Sequence, residues 1–268
     1  RALHRWFRRQ RQMCIRDRHL PPRQWLLPEM NSQTALVFRT LSIILNSLHH
    51  LQWVMTIWFM TSNMGKVTEA REHFSKFGIP VRQFEFEAVE PQEDDLQKVA
   101  LSKIEQAIPH LPAEGDMILV EDAGLFVESL NGFPGVYSSY ALSTIGVHGI
   151  LKLMSHLKSE DIVQDASLRK AEFRAVAILY KDGETFIGEG VCPGRIAHNP
   201  TEGHGFGFDP IFIPADLDEN GEALEVGEMG HVSTHGTPFG GISLEKKQEF
   251  SHRRRAISEL LHLIGNLG

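Results

Sequence analysis

Cysteine is scarce in this 268-residue chain, with only Cys14 and Cys192 present. A disulfide framework is thereby excluded, and no CxxC or Cys/His spacing offers a structural zinc site. His198, His204, His231 and His235 gather in loop-like sequence but lack ligand spacing, so no structural metal is expected from them. A reducing, cytoplasmic setting is the expectation. Long apolar runs are also missing. Residues 34–53 are the most apolar early stretch, and Arg39, Asn46, His49 and His50 interrupt it, which argues against a membrane span. There is no internal repeat.

What is present is ordinary for a soluble globular protein: 42% apolar and 23% charged residues, over a length suited to one large domain or two small ones. The formal charge of −7 is unevenly spread. Residues 1–54 hold nine arginines, no lysine and two acids, a formal +7, whereas the rest holds 18 basic against 32 acidic residues, −14. An acidic body argues against nucleic acid as a partner, because backbone binding rests on neutralising phosphates. A small nucleotide remains possible, its charge met by a local Lys/Arg pocket and a divalent metal.

Two domains of the sequence are distinguished on this basis. Residues 1–54 read as a basic N-terminal extension, disordered or non-native. Its arginine density is that of a transit peptide, and residues 13–18 (MCIRDR) resemble a translated sequencing adaptor. The natural start is expected at Met55, with residues 55–268 forming one folded domain.

Within that domain, MTIWFM at 55–60 reads as a buried strand and 66–77 as a helix with Val67, Ala70, Phe74 and Phe77 on its apolar side. Residues 81–89 alternate in part, as a strand would. A helix is expected over 96–108, a short strand over 117–120, a helix over 146–157, a strand pair at 171–180 and 185–191, a strand at 211–213, and a closing helix over 251–267. Interleaved strands and helices predict an α/β fold with a mixed sheet. Residues 216–244 read as a long polar loop.

Several clusters carry chemistry. GFGFDPIF at 205–212 combines glycines that reach φ > 0, aromatic faces able to stack on a ring, and the acceptor oxygens of Asp209. A tight turn into a strand is the competing reading. Thr61, Ser62, Asn63, Met64, Gly65 and Lys66 lie between a strand and a helix, where hydroxyls, an amide and the helix dipole make an anion site. A plain N-cap is the alternative, and the glycine spacing is wrong for a Walker A loop. Glu121 and Asp122 follow an apolar strand, and adjacent acids there are costly without a cation or donors. Mg²⁺ suits them. Successive strand residues face opposite ways, so one of the pair is expected to face the site, and Asp122 is favoured. Glu90 offers a second carboxylate, or a solvated surface acid. Lys103 shares a helical face with Val99 and Ala107, and either snorkels to solvent or reaches into a phosphate site. Lys247, His252 and Arg253 form a basic group at the start of the last helix, where cations call for an anionic partner.

Taken in order, TSNMGK (61–66), VEDAGL (120–125), NGFPGVYSSY (131–140), GFGFDPIF (205–212) and SHRRRA (251–256) resemble the inosine triphosphate pyrophosphatase, or HAM1-like, family, closest to its archaeal-type members. The resemblance spans 55–268. It implies an elongated mixed α/β sheet with two lobes flanking a nucleotide cleft, a homodimer, and Mg²⁺-dependent hydrolysis of ITP, dITP or XTP to the monophosphate and pyrophosphate. Carried over by motif, Thr61 to Lys66 cradle the phosphates with Lys103. Glu90 and Asp122 hold the metal, and Asp122 also orients or deprotonates the attacking water. Ala123 contacts substrate through its backbone. Phe206 stacks on the base, Gly207 and Phe208 shape the pocket, and Asp209, Lys247, His252 and Arg253 read the base edge.

Departures from the pattern are Thr201-Glu202 where the family commonly has an arginine, Ser143 at another arginine position, Ala123 for serine, Arg254 for glycine, and 230–242 as an apparent insertion. Two other readings stay open: a Maf-like pyrophosphatase acting on modified pyrimidine nucleotides, and a catalytically weak nucleotide-binding protein.

Overall fold

The computed structural model describes residues 56–112, 115–203 and 205–265. The expectations for residues 1–54, Met55 and His204 lie outside the described residues. Among those described, no helix is long and apolar enough to cross a membrane.

A seven-stranded mixed sheet forms the frame, in the order β2-β1-β3-β5-β6-β7, with the two-residue strand β4 also paired to β3. Strand β1 (Ile57–Met60) lies between β2 (Val81–Phe84) and β3 (Met117–Val127), parallel to both. Antiparallel pairs then join β3 to β5 (Lys170–Lys181), β5 to β6 (Glu184–Ile196) and β6 to β7 (Phe212–Pro214). Helix α1 (Met64–Ser75) links β1 to β2, and α2 (Leu96–Ala107) links β2 to β3. After β4 (Pro134–Gly135) come α3 (Ser138–Thr144), α4 (Gly146–Leu153) and α5 (Ile162–Leu168); α6 (Leu244–Phe250) and α7 (His252–Gly265) close the chain.

Period-two alternation along β3 builds two cores. Leu119 packs with Val67, Ala70 and Phe74 of α1 and Ala256, Ile257 and Leu260 of α7. Ile118 and Val120 turn the other way, onto Leu96, Ala100 and Ile104 of α2. A third core, including Phe173, Phe208, Phe212, Phe239 and Phe250, fills the other lobe beneath α3 and α4. There Arg169 is buried and donates to the carbonyls of Met154, Leu157, Ile196 and Ala197, so one guanidinium ties four backbone acceptors together.

Several expected boundaries change. The strand expected over 81–89 stops at Phe84; the following residues form a loop in which Phe86 stacks on Phe84, with ring centroids 6.0 Å apart. The short strand expected at 117–120 runs on to Val127, so Glu121 and Asp122 lie mid-strand rather than at a strand end. Phe77 is exposed, because the first helix ends at Ser75. The presumed loop 216–244 and insertion 230–242 contain a core residue, Phe239, whose ring packs against Phe212 and Phe250. Helices α3, α5 and α6 are too short, at seven residues each, for periodicity to declare them.

Candidate active site

The site begins with a gap in the sheet. Strand β1 ends at Met60, opposite Val120, while β4 meets β3 only from Leu125 onward. Residues 121–124 of β3 therefore keep β5 on one side and face an open cleft on the other. A cavity of about 1010 Å³ lies there, lined from one end by Ser62, Lys66, Glu90, Lys103 and Asp122 and from the other by Phe206, Lys247, His252 and Arg253. This is the position beyond the carboxyl end of a parallel strand where α/β sheets take ligands.

Strand alternation assigns the two carboxylates to different faces. Asp122 turns toward α2, where Lys103 Nζ lies 3.0 Å from its Oδ1 and 2.8 Å from its Oδ2. Lys103 also reaches Glu90 Oε1 at 2.6 Å. Lys103 thus points into the cleft rather than snorkelling away, and one cation gathers both acids. Burial works to lower its pKa, but the charges of Asp122 and Glu90 more than offset this and raise it. Asp122 Oδ2 is buried without a donor in hydrogen-bonding geometry despite that close ammonium.

Glu121 turns to the opposite face, fully buried, with Lys66 Nζ 2.7 Å from Oε2 and Arg253 Nε 3.1 Å from Oε1. Burial pushes the Glu121 carboxyl up, yet Arg253 and then Lys66 overcome it and hold it at about 2. The chain of charges continues. Arg253 Nη1 donates to Glu69 of α1, Glu69 lies 3.6 Å from Lys247 Nζ, and Lys247 donates to Asp209 Oδ2 at 2.8 Å. Six charges alternate from Lys66 through Glu121, Arg253, Glu69 and Lys247 to Asp209, three of each sign, which is how buried charge is tolerated. Glu69 was not singled out in sequence. It lies on the buried face of α1 with Ala70, and only the fold brings Arg253 and Lys247 to it.

The loop from Thr61 to Gly65 is built around Asn63. Its side chain accepts from the N–H groups of Gly65 and Lys66, at 2.9 and 3.4 Å, and Thr61 Oγ1 accepts from the Asn63 N–H. The N-cap reading thus describes the loop as it stands, while Ser62 and Met64 remain exposed beside Lys66.

In the other half of the cleft, Gly205 and Gly207 take φ of +125° and +66°, conformations that favour glycine. The turn they allow brings the Phe206 N–H within 2.9 Å of Asp209 Oδ2. Phe206 is half-buried, with Lys247 Nζ 4.7 Å and the Arg253 guanidinium 5.5 Å from its ring centre. Phe208 is buried in the aromatic core and forms the pocket floor. Asp209 is also buried, its Oδ2 shared by Lys247 and the Phe206 N–H. The His252 ring stacks on Phe173 at 4.9 Å, and its buried Nδ1 has no partner. Burial first, and the Arg253 charge next, hold its pKa well below the ordinary value, so the ring is neutral at physiological pH. Ala123 lines the cleft between the two halves.

The donor set suits a hard divalent cation. Two carboxylates, Glu90 and Asp122, already converge on one ammonium. Among the described residues no group of three His, Cys, Asp or Glu side chains converges. A pair of acids with substrate phosphate and water completing the shell is the usual arrangement for Mg²⁺.

Comparison with known proteins agrees with this architecture. A model of the Ham1 family matches residues 57–263. The dITP/XTP pyrophosphatase of Thermococcus kodakarensis is 41% identical over 206 residues, covering 76% of this chain and 95% of that protein. That of Pyrococcus horikoshii is 37% identical over 206 residues, covering 76% and 93%. Among solved structures, the Staphylococcus aureus Ham1 protein aligns with a TM-score of 0.59 at 26% identity, covering 80% of this chain and 100% of its own. With its sheet order, its cleft and these matches, the chain belongs to the Ham1 family.

Proposed function

We propose that this chain hydrolyses non-canonical purine nucleoside triphosphates (ITP, dITP and XTP) to the monophosphate and pyrophosphate. The observation that carries the proposal is a single cleft with cations and paired acids at one end and a half-buried aromatic ring beside an unpartnered neutral histidine at the other. Phosphate and base of one nucleotide would occupy the two ends. The named activity of the Thermococcus and Pyrococcus relatives supports the same reading.

In this reading Lys66, Lys103 and the loop Thr61 to Gly65 take the phosphates, and their fixed positive charge favours the transition state over the ground state. Glu90 and Asp122 would hold Mg²⁺, which supplies charge neutralisation and a more acidic water. Asp122 orients the attacking water and accepts its proton. The water oxygen bonds to the α-phosphorus, the α–β anhydride bond breaks, and its bridging oxygen leaves with pyrophosphate. Phe206 stacks on the base over the pocket shaped by Gly207 and Phe208, and Ala123 meets substrate through its backbone. His252, Lys247 and Arg253 supply donors for a 6-oxo purine, while Asp209 holds Lys247 and the Phe206 turn in place. Adenine carries an amino donor at that position and would leave these donors unpaired.

In this reading the enzyme works in the cytoplasm, with the nucleotide pool. The homodimer implied by the family resemblance has a candidate face in the exposed Phe133, Tyr137, Tyr140 and Ile145, which sedimentation would test. For the reaction itself, hydrolysis of ITP in ¹⁸O-water should yield label in the monophosphate alone. Asp122→Asn should lower turnover at least about 100-fold with the fold intact. Orthophosphate as the first product, or equal turnover by Asp122→Asn, would defeat the mechanism.

A further inference from the structure

The loop that carries Glu90 has no strand partner beyond Phe84, yet it delivers a carboxylate to within 2.6 Å of Lys103 Nζ. Its near end is held by Phe86, packed between Phe84 and His110 with ring centroids 6.0 and 4.9 Å away. In its middle, at Val89, it is held by one side chain. Gln106 Oε1 accepts from the Val89 N–H at 2.9 Å, and Gln106 Nε2 donates to the Val89 carbonyl at 2.9 Å. The amide thus satisfies both backbone groups of one residue, as a neighbouring strand would. The reversed amide would set donor against donor and acceptor against acceptor, so the orientation is fixed by its partners. A further bond from Nε2 to the Ser102 carbonyl, at 3.0 Å, anchors the side chain to its own helix.

Two features join this contact to the site. Gln106 lies three residues after Lys103 on α2, so both side chains project along one flank of the helix. Pro91 follows Glu90 and restricts its backbone to extended conformations. With Val89 pinned on one side and Pro91 on the other, Glu90 has little freedom left except at its side chain. Val89 itself is 78% exposed, so packing does not supply what the amide supplies.

We infer that Gln106 is a positioning residue for metal binding: by pairing with both backbone groups of Val89 it holds Glu90 where its carboxylate and that of Asp122 share one cation. The inference rests on the reading of Glu90 and Asp122 as metal ligands. Outer-shell partners of metal ligands are worth about 10- to 100-fold in metal affinity.

The test compares Gln106→Met, which keeps length and loses both bonds, with Glu90→Gln. Mn²⁺ binding to the nucleotide-free enzyme is read by electron paramagnetic resonance, the Mg²⁺ dependence of ITP turnover by kinetics, and protection of the Val89 amide by hydrogen exchange. Gln106→Met should weaken Mn²⁺ binding about tenfold and raise the half-saturating Mg²⁺ to match, lower kcat at saturating metal less than threefold, and abolish protection at Val89. Unchanged metal affinity in Gln106→Met, with Glu90→Gln impaired, would overturn the positioning role alone. Unchanged affinity in both variants would overturn the reading of Glu90 as a ligand, and the inference with it.

Discussion

Arg253 Nε lies 3.1 Å from Glu121 Oε1, so the first turn of α7 is tied to the middle of β3 across 132 residues of sequence. Both side chains are buried, and Arg253 also serves Glu69. Removing the guanidinium would leave Glu121 to Lys66 alone and Glu69 to Lys247 at 3.6 Å. Arg253→Met should therefore destabilise the protein by about 3–5 kcal/mol in urea unfolding. A loss below about 1 kcal/mol would show that the alternating charges relax without it.

Gly65 sits against the ring proposed to stack on the base. A Cβ at that position would lie 3.1 Å from Cδ1 and Cε1 of Phe206 and from the capping Asn63 Oδ1, closer than ordinary contact. The helix preference of alanine, about 1 kcal/mol, is set against a strained cap of similar worth, so Gly65→Ala should change stability little while displacing the ring. The expected signature is a several-fold rise in KM for ITP with the fold intact. An unchanged KM would mean that the ring yields at no cost to binding.

His252 sets a direction for pH. Its pKa in the folded protein is lowered, so the unfolded chain takes up a proton near the ordinary value of 6.5 that the folded protein refuses until well below it. Stability contributed by His252 is complete above 6.5 and is lost as pH falls below it. Unfolding free energy measured from pH 7.5 to 5 should fall more steeply for the wild type than for His252→Gln, by up to one proton. Parallel slopes would place a proton on the folded ring.

Much of this was legible in the residues. The apolar run before residue 61, the capped helix after it and the strand pair around the turn at 181–183 were each read from the residues, and five ordered motifs carried the family. Opposite facing of Glu121 and Asp122 followed from strand geometry and separates the structural acid from the proposed catalytic one. What was hidden depends on distance in sequence. Glu69 reads as a surface helix residue until Arg253, 184 positions later, is known to be buried beside it. Phe239 reads as loop because its partners Phe173 and Phe212 come from other elements. The length of β3 was missed because 121–124 are polar, small or both, and only the pairing with β5 carries the strand through them. Gln106 gave no sequence signal, since an amide on a half-buried helix face is unremarkable until Val89 lies opposite.

Residues 205–212 form the tight turn that was one of their two readings, and the other, a face for a ring, remains the proposal. Their glycines make the turn, and Phe206 stands over the cleft while Phe208 and Phe212 anchor the turn in the core.

The most direct test is the ratio of kcat/KM for ITP to that for ATP, with Mg²⁺ and pyrophosphate detection, alongside a methylated pyrimidine triphosphate. A site that hydrogen-bonds a 6-oxo purine should favour ITP over ATP by about 1000-fold or more. A ratio near one, or faster turnover of the pyrimidine, would contradict the account.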